Sequence, residues 1–181
     1  YKSTIEKNQI STIFIGGGTP TSLSDNLFEY MIKSIDEILQ LDCNSNNIEY
    51  TIEANPKTIT SKKAIAMKQY GINRVSLGLQ SANEIELKVL NRIHSFKDLE
   101  ESIDILKAHG ISNINIDLMY AIANQTIESF KTSIQKVLVL KPDHISCYSL
   151  ILEEGTALYK LHKENKITFP TEDEDINMYE L

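Results

Sequence analysis

The chain has 181 residues, of which 41% are hydrophobic and 24% are charged, and its formal net charge is −7. This composition is typical of a globular domain with one substantial core. The negative charge argues against a nucleic-acid partner, because phosphate binding needs a basic stripe. The apolar runs are too short to cross a bilayer, so membrane association is not indicated.

The cysteine content and the two ends of the sequence give further expectations. Cys43 and Cys147 are the two cysteines, too few for a disulfide framework or a metal cluster, and they favour a reducing cytoplasm. The chain begins with Tyr1 and not with Met, and no signal-peptide pattern follows. At the other end Thr171 and the acids after it predict a helix start that is cut short. We therefore expect a segment truncated at both ends, with residues 1–181 forming one domain.

Apolar segments of strand length alternate with segments of helical period along the chain. The strand-like segments are residues 11–18, 48–56, 74–80, 113–120 and 144–151. The first helix follows a Ser24 cap, with one face predicted to point inward at Leu27, Met31, Ile35 and Ile38.

The later helices are predicted from the same periodicity. One runs through Ile65 and Met67 to an αL cap at Gly71, and another includes Leu87 and Leu90. A third covers residues 98–109, ends at Gly110 and points Leu99, Ile103 and Leu106 inward. The last begins at Thr126 and is predicted to bury Ile127, Phe130, Ile134, Val137 and Leu138.

Alternating βα units predict right-handed crossovers and a parallel sheet. YGINRVSLGLQ and HGISNINIDLMY form a faint repeat, in which a Gly-Ile pair leads into a strand that closes on a polar residue. Five strands are too few for a closed eight-stranded barrel, which takes about 250 residues. A partial barrel and an open doubly wound sheet are the two remaining α/β architectures.

Polar side chains lie at the C-terminal ends of three predicted strands, at Glu53, Gln80 and Asp117. Parallel strands bring these ends to one face, where such groups could bind the amines and hydroxyls of an amino-acid or ribose moiety. The alternative is that each of these three side chains pairs with a neighbouring loop. The glycines of residues 16–18 end the first strand and either approach a ligand or form a tight turn. They complete neither a Walker nor a Rossmann motif.

Three further residues carry side chains that could be reactive or bind a ligand. Arg92 could pair with a ligand carboxylate, or lie solvated on the surface. His94 is expected to be a partly buried structural histidine. Cys147, in the fifth strand, is expected to pack in the core.

Five motifs in order carry a family resemblance: GGGTPT, EANP, GINRVSLGLQS, RIH, and NINIDLMY followed by QT. Together they resemble the radical S-adenosylmethionine family, in its branch of haem chaperones and oxygen-independent coproporphyrinogen III oxidase-like proteins. At the positions of Ala54-Asn55-Pro56 and of His94, the oxidases usually have other residues. These two differences favour the chaperone branch of the family.

The resemblance implies a partial (β/α)6 TIM-like barrel whose first strand is missing from this chain. It implies that S-adenosylmethionine contacts a set of residues at the strand ends: Gly17, Gly18, Thr19, Glu53, Gln80, Arg92 and Asp117. It also implies haem as a further ligand, with a haem-accepting client protein and an electron donor as partners. Radical decarboxylation of coproporphyrinogen III is the alternative function, and a scaffold fragment with weak ligand affinity is a third.

The sequence departs from the family in two places. The Cys-x3-Cys-x2-Cys loop that holds a [4Fe–4S] cluster is expected before Tyr1, so the segment alone is expected to be inactive. After the Asp117 strand the family usually has Gly-Leu-Pro, whereas this chain has Ala121-Ile122-Ala123-Asn124, which changes the turn chemistry beside Asp117.

Overall fold

The computed structural model describes residues 10–39 and 48–181. In these residues five strands form one sheet whose neighbours follow chain order: β1 (Thr12–Ile15), β2 (Glu49–Ala54), β3 (Arg74–Gln80), β4 (Asn113–Tyr120) and β5 (His144–Ser149). β2 pairs in parallel with both β1 and β3, and its residue Ile52 lies opposite Ile15 and Val75. The predicted α/β class with parallel strands is confirmed.

The strands are linked by helices, most of which begin at a side-chain cap. Their bounds are α1 (Asp25–Leu39), α2 (Ser61–Gln69), α3 (Glu84–Val89), α4 (Phe96–Ala108), α5 (Ile127–Val139), α6 (Ala157–Lys163) and α7 (Glu172–Tyr179), with a 3-10 turn at Pro20–Ser22. The predicted αL cap at Gly71 is confirmed, with a φ of 79°, and Gly110, the predicted end of another helix, has a similar φ of 78°. In the described part of the chain, no helix combines the length and the apolar character needed to cross a membrane.

The chain divides into two compact units, and β3 and β4 contribute residues to both. The first comprises Tyr1–Gly78 and Asp98–Asn115, and the second comprises Leu79–Lys97 and Ile116–Leu181. The single domain over residues 1–181 stays a prediction.

The core of the first unit is built from β2, β3 and the helices α1, α2 and α4. Fully buried side chains include Phe28, Ile32, Ile52, Met67, Leu77 and Leu99. Burial of such side chains stabilises the unit by about 1.5–3 kcal/mol each. Lys63 is also buried, and its ammonium donates to the carbonyls of Thr21 (2.7 Å) and Thr58 (3.0 Å), which offsets the cost of desolvation.

The predicted inward face of α1 is wrong. Phe28 and Ile32 are fully buried, whereas Leu27 and Ile38 are 57% and 61% exposed. Two apolar stripes run side by side along this helix, and their positions differ by one residue. Because one residue is a rotation of about 100°, periodicity alone does not decide which stripe packs on the sheet.

In the second unit α5 and α7 pack near β4. The Tyr120 ring lies 5.6 Å from that of Phe130 on α5 and 6.4 Å from that of Tyr179 on α7. Two predictions are wrong here. Leu138 is 55% exposed, because the buried stripe of α5 runs through Phe130, Ser133 and Val137 instead. Cys147 is exposed and does not pack in the core, because β5 is the last strand of the sheet order.

A buried polar cluster around Glu86 joins α3 to α5 in the second unit. The side chain of Glu86 is 4% exposed. One of its carboxylate oxygens accepts from the Ser81 hydroxyl (2.6 Å) and from the Gln125 amide (2.9 Å). The other accepts from the Ser129 hydroxyl at 2.5 Å. All three partners lie in the second unit, so this one carboxylate fixes the start of α3 against the start of α5.

The predicted helix start at Thr171 is confirmed, and the structure forms a capping box there. The Glu174 N–H donates to the Thr171 hydroxyl (3.3 Å), and the Thr171 N–H donates to the Glu174 carboxylate (2.8 Å). The backbone bond from Thr171, followed by the bond from its hydroxyl, lowers the pKa of Glu174 below its ordinary value.

We expect the stability from this box to depend on pH in the acid range. A carboxyl pKa that is lower in the folded state contributes stability above the ordinary glutamate pKa, and this stability is lost as the pH falls through the lowered pKa. Thr171→Val removes the hydroxyl and should bring the pKa of Glu174 part of the way back towards its ordinary value. An NMR titration of the Glu174 carboxyl carbon measures this, with Thr156→Val at the start of α6 as the control. An unchanged Glu174 pKa in Thr171→Val would contradict the assignment.

Candidate functional site

In the first unit, the loop after β1 exposes its backbone beside a carboxylate. Gly17 and Gly18 have φ of 86° and 93°, a region that favours glycine, and both are exposed. The Gly17 N–H donates to the Glu53 carboxylate at 3.2 Å. A Cβ on Gly16 would lie 2.8 Å from both Cδ and Oε2 of Glu53. Gly16 is therefore required for the close approach of Glu53, whereas Gly17 and Gly18 are required for the turn.

Thr19, at the end of the glycine loop, is held by the segment after β2. The Asn55 amide donates to the Thr19 hydroxyl at 2.9 Å, and the Asn55 carbonyl accepts from the Thr58 hydroxyl at 2.6 Å. Asn55 was assigned no site role from the sequence, although it lies two residues after Glu53, a spacing that keeps side chains on one face of an extended chain. We call residues 16–19, Glu53 and Asn55 the glycine-loop cluster.

The glycine-loop cluster has the chemistry to hold the amino group of a small ligand. Glu53 is half-buried, so its carboxylate is less screened than one on an open surface. A Cβ on Gly17 or Gly18 would meet nothing within 4 Å, so the loop borders open space that a ligand can occupy. Carboxylate and backbone groups at one edge of such a space suit an α-amino acid moiety.

In the second unit, Gln80 ends β3 with an unusual backbone. Its φ is 73°, and its side chain is 4% exposed. The Tyr148 hydroxyl donates to the Gln80 amide oxygen at 2.7 Å. His94 is buried, as expected, and its Nε2 lies 3.0 Å from the Leu79 carbonyl, one residue before Gln80. No feature of the sequence predicts the contact with Tyr148, which lies inside the predicted fifth strand.

Arg92 and Asp117 are both half-buried in the second unit. Arg92 follows α3, where its N–H donates to the Leu87 carbonyl at 2.8 Å. Asp117 lies inside β4, which continues to Tyr120. Cys147 is exposed as a residue, but neighbouring atoms partly desolvate its thiol. This desolvation, and then the charge of Asp117, raise the pKa of Cys147.

The turn after β4 keeps a positive φ without the glycine that the family resemblance predicts. Ala121 and Asn124 have φ of 56° and 62°. The Gln125 amide oxygen accepts from the Ile122 N–H at 3.2 Å, and Asn124 exchanges two hydrogen bonds with Thr168 (2.7 and 3.1 Å). The turn is therefore stabilised by side chains where glycine would have supplied conformational freedom.

The predicted site residues fall into the two units. Gly17, Gly18, Thr19 and Glu53 lie together in the first unit, and Gln80, Arg92 and Asp117 belong to the second. The convergence of all seven on one ligand stays a prediction.

The residues do not fit an iron–sulfur cluster. In residues 10–39 and 48–181, no group of three or more His, Cys, Asp or Glu side chains is placed to hold a metal ion. Of the two cysteines in the sequence, Cys43 lies outside the described residues and Cys147 lies on β5. Two thiolates are fewer than the cysteine array that such a cluster needs.

Comparison with protein families gives a match to the model of the Radical SAM superfamily over residues 2–137. Two curated relatives are both named heme chaperone HemW. The relative from Lactococcus lactis is 38% identical over 97% of this chain, and the one from Bacillus subtilis is 36% identical over 95%. The chain spans 45% of the length of each relative.

A solved structure with a similar fold is the coproporphyrinogen III oxidase HemN from Escherichia coli, described as a radical SAM enzyme. It superposes with a TM-score of 0.78 at 25% identity, over 94% of this chain and 38% of that one. The α/β architecture with parallel strands is thus shared with a solved structure.

Proposed function

We propose that this chain, which belongs to the radical SAM superfamily, is the S-adenosylmethionine-binding part of a haem chaperone. Such a protein would bind haem and deliver it to a client protein. The observation that carries the proposal is the 38% identity to a heme chaperone over 97% of the chain.

The glycine-loop cluster is proposed to hold the methionine part of S-adenosylmethionine. Glu53 accepts hydrogen bonds from the α-amino group, and the open backbone of Gly17 and Gly18 lies along the ligand with Thr19. In the second unit, Arg92 is proposed to pair with a carboxylate, and Gln80 and Asp117 to make further polar contacts. When bound, S-adenosylmethionine would supply a 5′-deoxyadenosyl radical, released together with methionine once the electron donor of the full-length protein has provided one electron.

The remaining assignments concern the longer protein. The proposal gives this chain no [4Fe–4S] ligand, since its cysteines do not form the required array. Haem, a client protein and an electron donor are proposed for the full-length protein, in the cytoplasm.

Oxidative decarboxylation of coproporphyrinogen III is the second candidate function. The structural likeness to HemN at a TM-score of 0.78 favours it. The lower identity of 25%, against 38% for the chaperone, places it second.

Haem binding and porphyrinogen turnover by the full-length protein separate the two candidates. We expect haem titration under anaerobic reducing conditions to give a saturable change in the Soret absorption that remains after gel filtration. We expect mass spectrometry to detect no decarboxylated porphyrinogen from the same preparation. Iron-free protoporphyrin serves as the control, because apolar surfaces adsorb it as readily as haem. Turnover of coproporphyrinogen without haem binding would reject the chaperone proposal.

Affinity for S-adenosylmethionine itself is measured by calorimetry. Saturable binding by the full-length protein is expected, and its absence would favour the scaffold interpretation.

A further inference from the structure

Gln80 combines a left-handed backbone with a buried side chain at the end of β3. Its φ of 73° is uncommon for a residue with a side chain, and its exposed fraction is 4%. Unfavourable backbone conformations persist only where surrounding contacts hold them, and they concentrate at ligand sites. Two such contacts flank Gln80 in its own unit: His94 against the Leu79 carbonyl, and Tyr148 against the Gln80 side chain.

The Tyr148 contact determines how the Gln80 amide can interact with a ligand. At 2.7 Å, the hydroxyl-to-oxygen distance is that of a well-formed hydrogen bond. An amide has one oxygen that accepts and one nitrogen that donates two hydrogens. Among the described residues, the Gln80 side chain makes its hydrogen bond with the Tyr148 hydroxyl. The oxygen is therefore engaged, and the nitrogen is left to donate.

We infer that Tyr148 is a positioning residue that orients the Gln80 amide, so that its nitrogen donates a hydrogen bond to an acceptor oxygen of the ligand. The inference rests on the proposed binding of S-adenosylmethionine and names the chemistry that Gln80 recognises, a hydroxyl or carboxylate oxygen. Tyr148 acts through Gln80 and needs no contact with the ligand.

Calorimetry of S-adenosylmethionine binding to the full-length protein tests the ligand part of the inference. Tyr148→Phe removes the hydroxyl alone and should weaken binding about tenfold, and Gln80→Ala should weaken it by at least as much. The double variant should bind no worse than Gln80→Ala, because the tyrosine acts only through the amide. The control is Tyr159→Phe, which removes a hydroxyl 3.4 Å from Glu154 in the same unit and should leave the affinity unchanged. Wild-type affinity in Tyr148→Phe, or losses that add in the double variant, would overturn the inference.

Side-chain amide NMR tests the positioning itself, without ligand. The Gln80→Glu variant identifies the Gln80 NH2 resonances, because it lacks them. In Tyr148→Phe these resonances should shift or broaden, while they stay in place in Tyr159→Phe. Unchanged resonances in Tyr148→Phe, in a protein that does bind S-adenosylmethionine, would refute the positioning role and leave the proposed function standing. A wild-type protein that fails to bind the ligand would instead reject the proposed function and, with it, the role of Gln80 as a donor.

Discussion

Replacing Glu86 with alanine is expected to lower the free energy of unfolding by about 3 kcal/mol, because the loss leaves buried donors without an acceptor. Ser81, Gln125 and Ser129 all donate to this carboxylate, which is 4% exposed. The truncation removes their shared partner and opens a polar cavity between α3 and α5. Urea unfolding of the full-length protein measures the loss, and hydrogen exchange locates it in the second unit.

Glu84 provides a matched control on the same helix. It is exposed in the first turn of α3, so Glu84→Ala should cost no more than about 0.5 kcal/mol. Glu86→Gln should fall between the two, since it keeps one acceptor oxygen. Equal stability losses in Glu86→Ala and Glu84→Ala would show that the cluster is not a stabilising element.

Replacing Gly16 with alanine is expected to weaken S-adenosylmethionine binding by about 10- to 100-fold while leaving the fold intact. The added Cβ would lie 2.8 Å from the ends of the Glu53 and Phe14 side chains, so both must move away. Flexible side-chain ends move at little cost in stability, but the Glu53 carboxylate then leaves the Gly17 N–H. The displaced carboxylate would also lose its proposed hydrogen bond to the α-amino group of the ligand. The loss of one hydrogen bond to a charged group, about 1.5–3 kcal/mol, sets the expected fold-change in affinity.

Gly155→Ala is the opposite case and serves as the control. Gly155 has a φ of 83°, and a Cβ there would meet nothing within 4 Å. This variant should lose about 1 kcal/mol of stability through backbone strain and bind S-adenosylmethionine normally. Gly16→Ala should show the reverse pattern in calorimetry and urea unfolding. Normal affinity in Gly16→Ala would remove the glycine-loop cluster from the proposed site.

The sequence predicts strands better than it predicts which side of a helix is buried. β3 and β4 begin and end at the predicted residues, because each is an apolar run bounded by polar or turn residues. α1 was predicted with the wrong face inward, because its two apolar stripes are equally periodic. α6 was not predicted at all. It has seven residues, none of them buried, and Leu158 and Leu161 are too few to define an apolar stripe.

For the candidate site, Gln80 ends β3 and Glu53 lies one residue before the end of β2, as predicted, whereas Asp117 lies three residues before the end of β4. Individual contacts between side chains were not predicted. The contact between Gly17 and Glu53 follows from the pairing of β1 with β2, which brings their ends side by side. The contact between Tyr148 and Gln80 spans 68 residues and depends on a backbone conformation that glutamine rarely adopts. No local pattern encodes such a contact, so it became visible only in the folded chain.

The order of the strands has a consequence for synthesis of the protein. Each strand lies beside the one that precedes it in the sequence, from β1 to β5. When one of the later strands leaves the ribosome, the strand that it pairs with has therefore already been synthesised. Each pairing closes a loop that contains only the connection between two successive strands. We expect folding to advance from the N-terminal end during translation, each βα unit docking on the last, without long exposure of an unpaired interior strand.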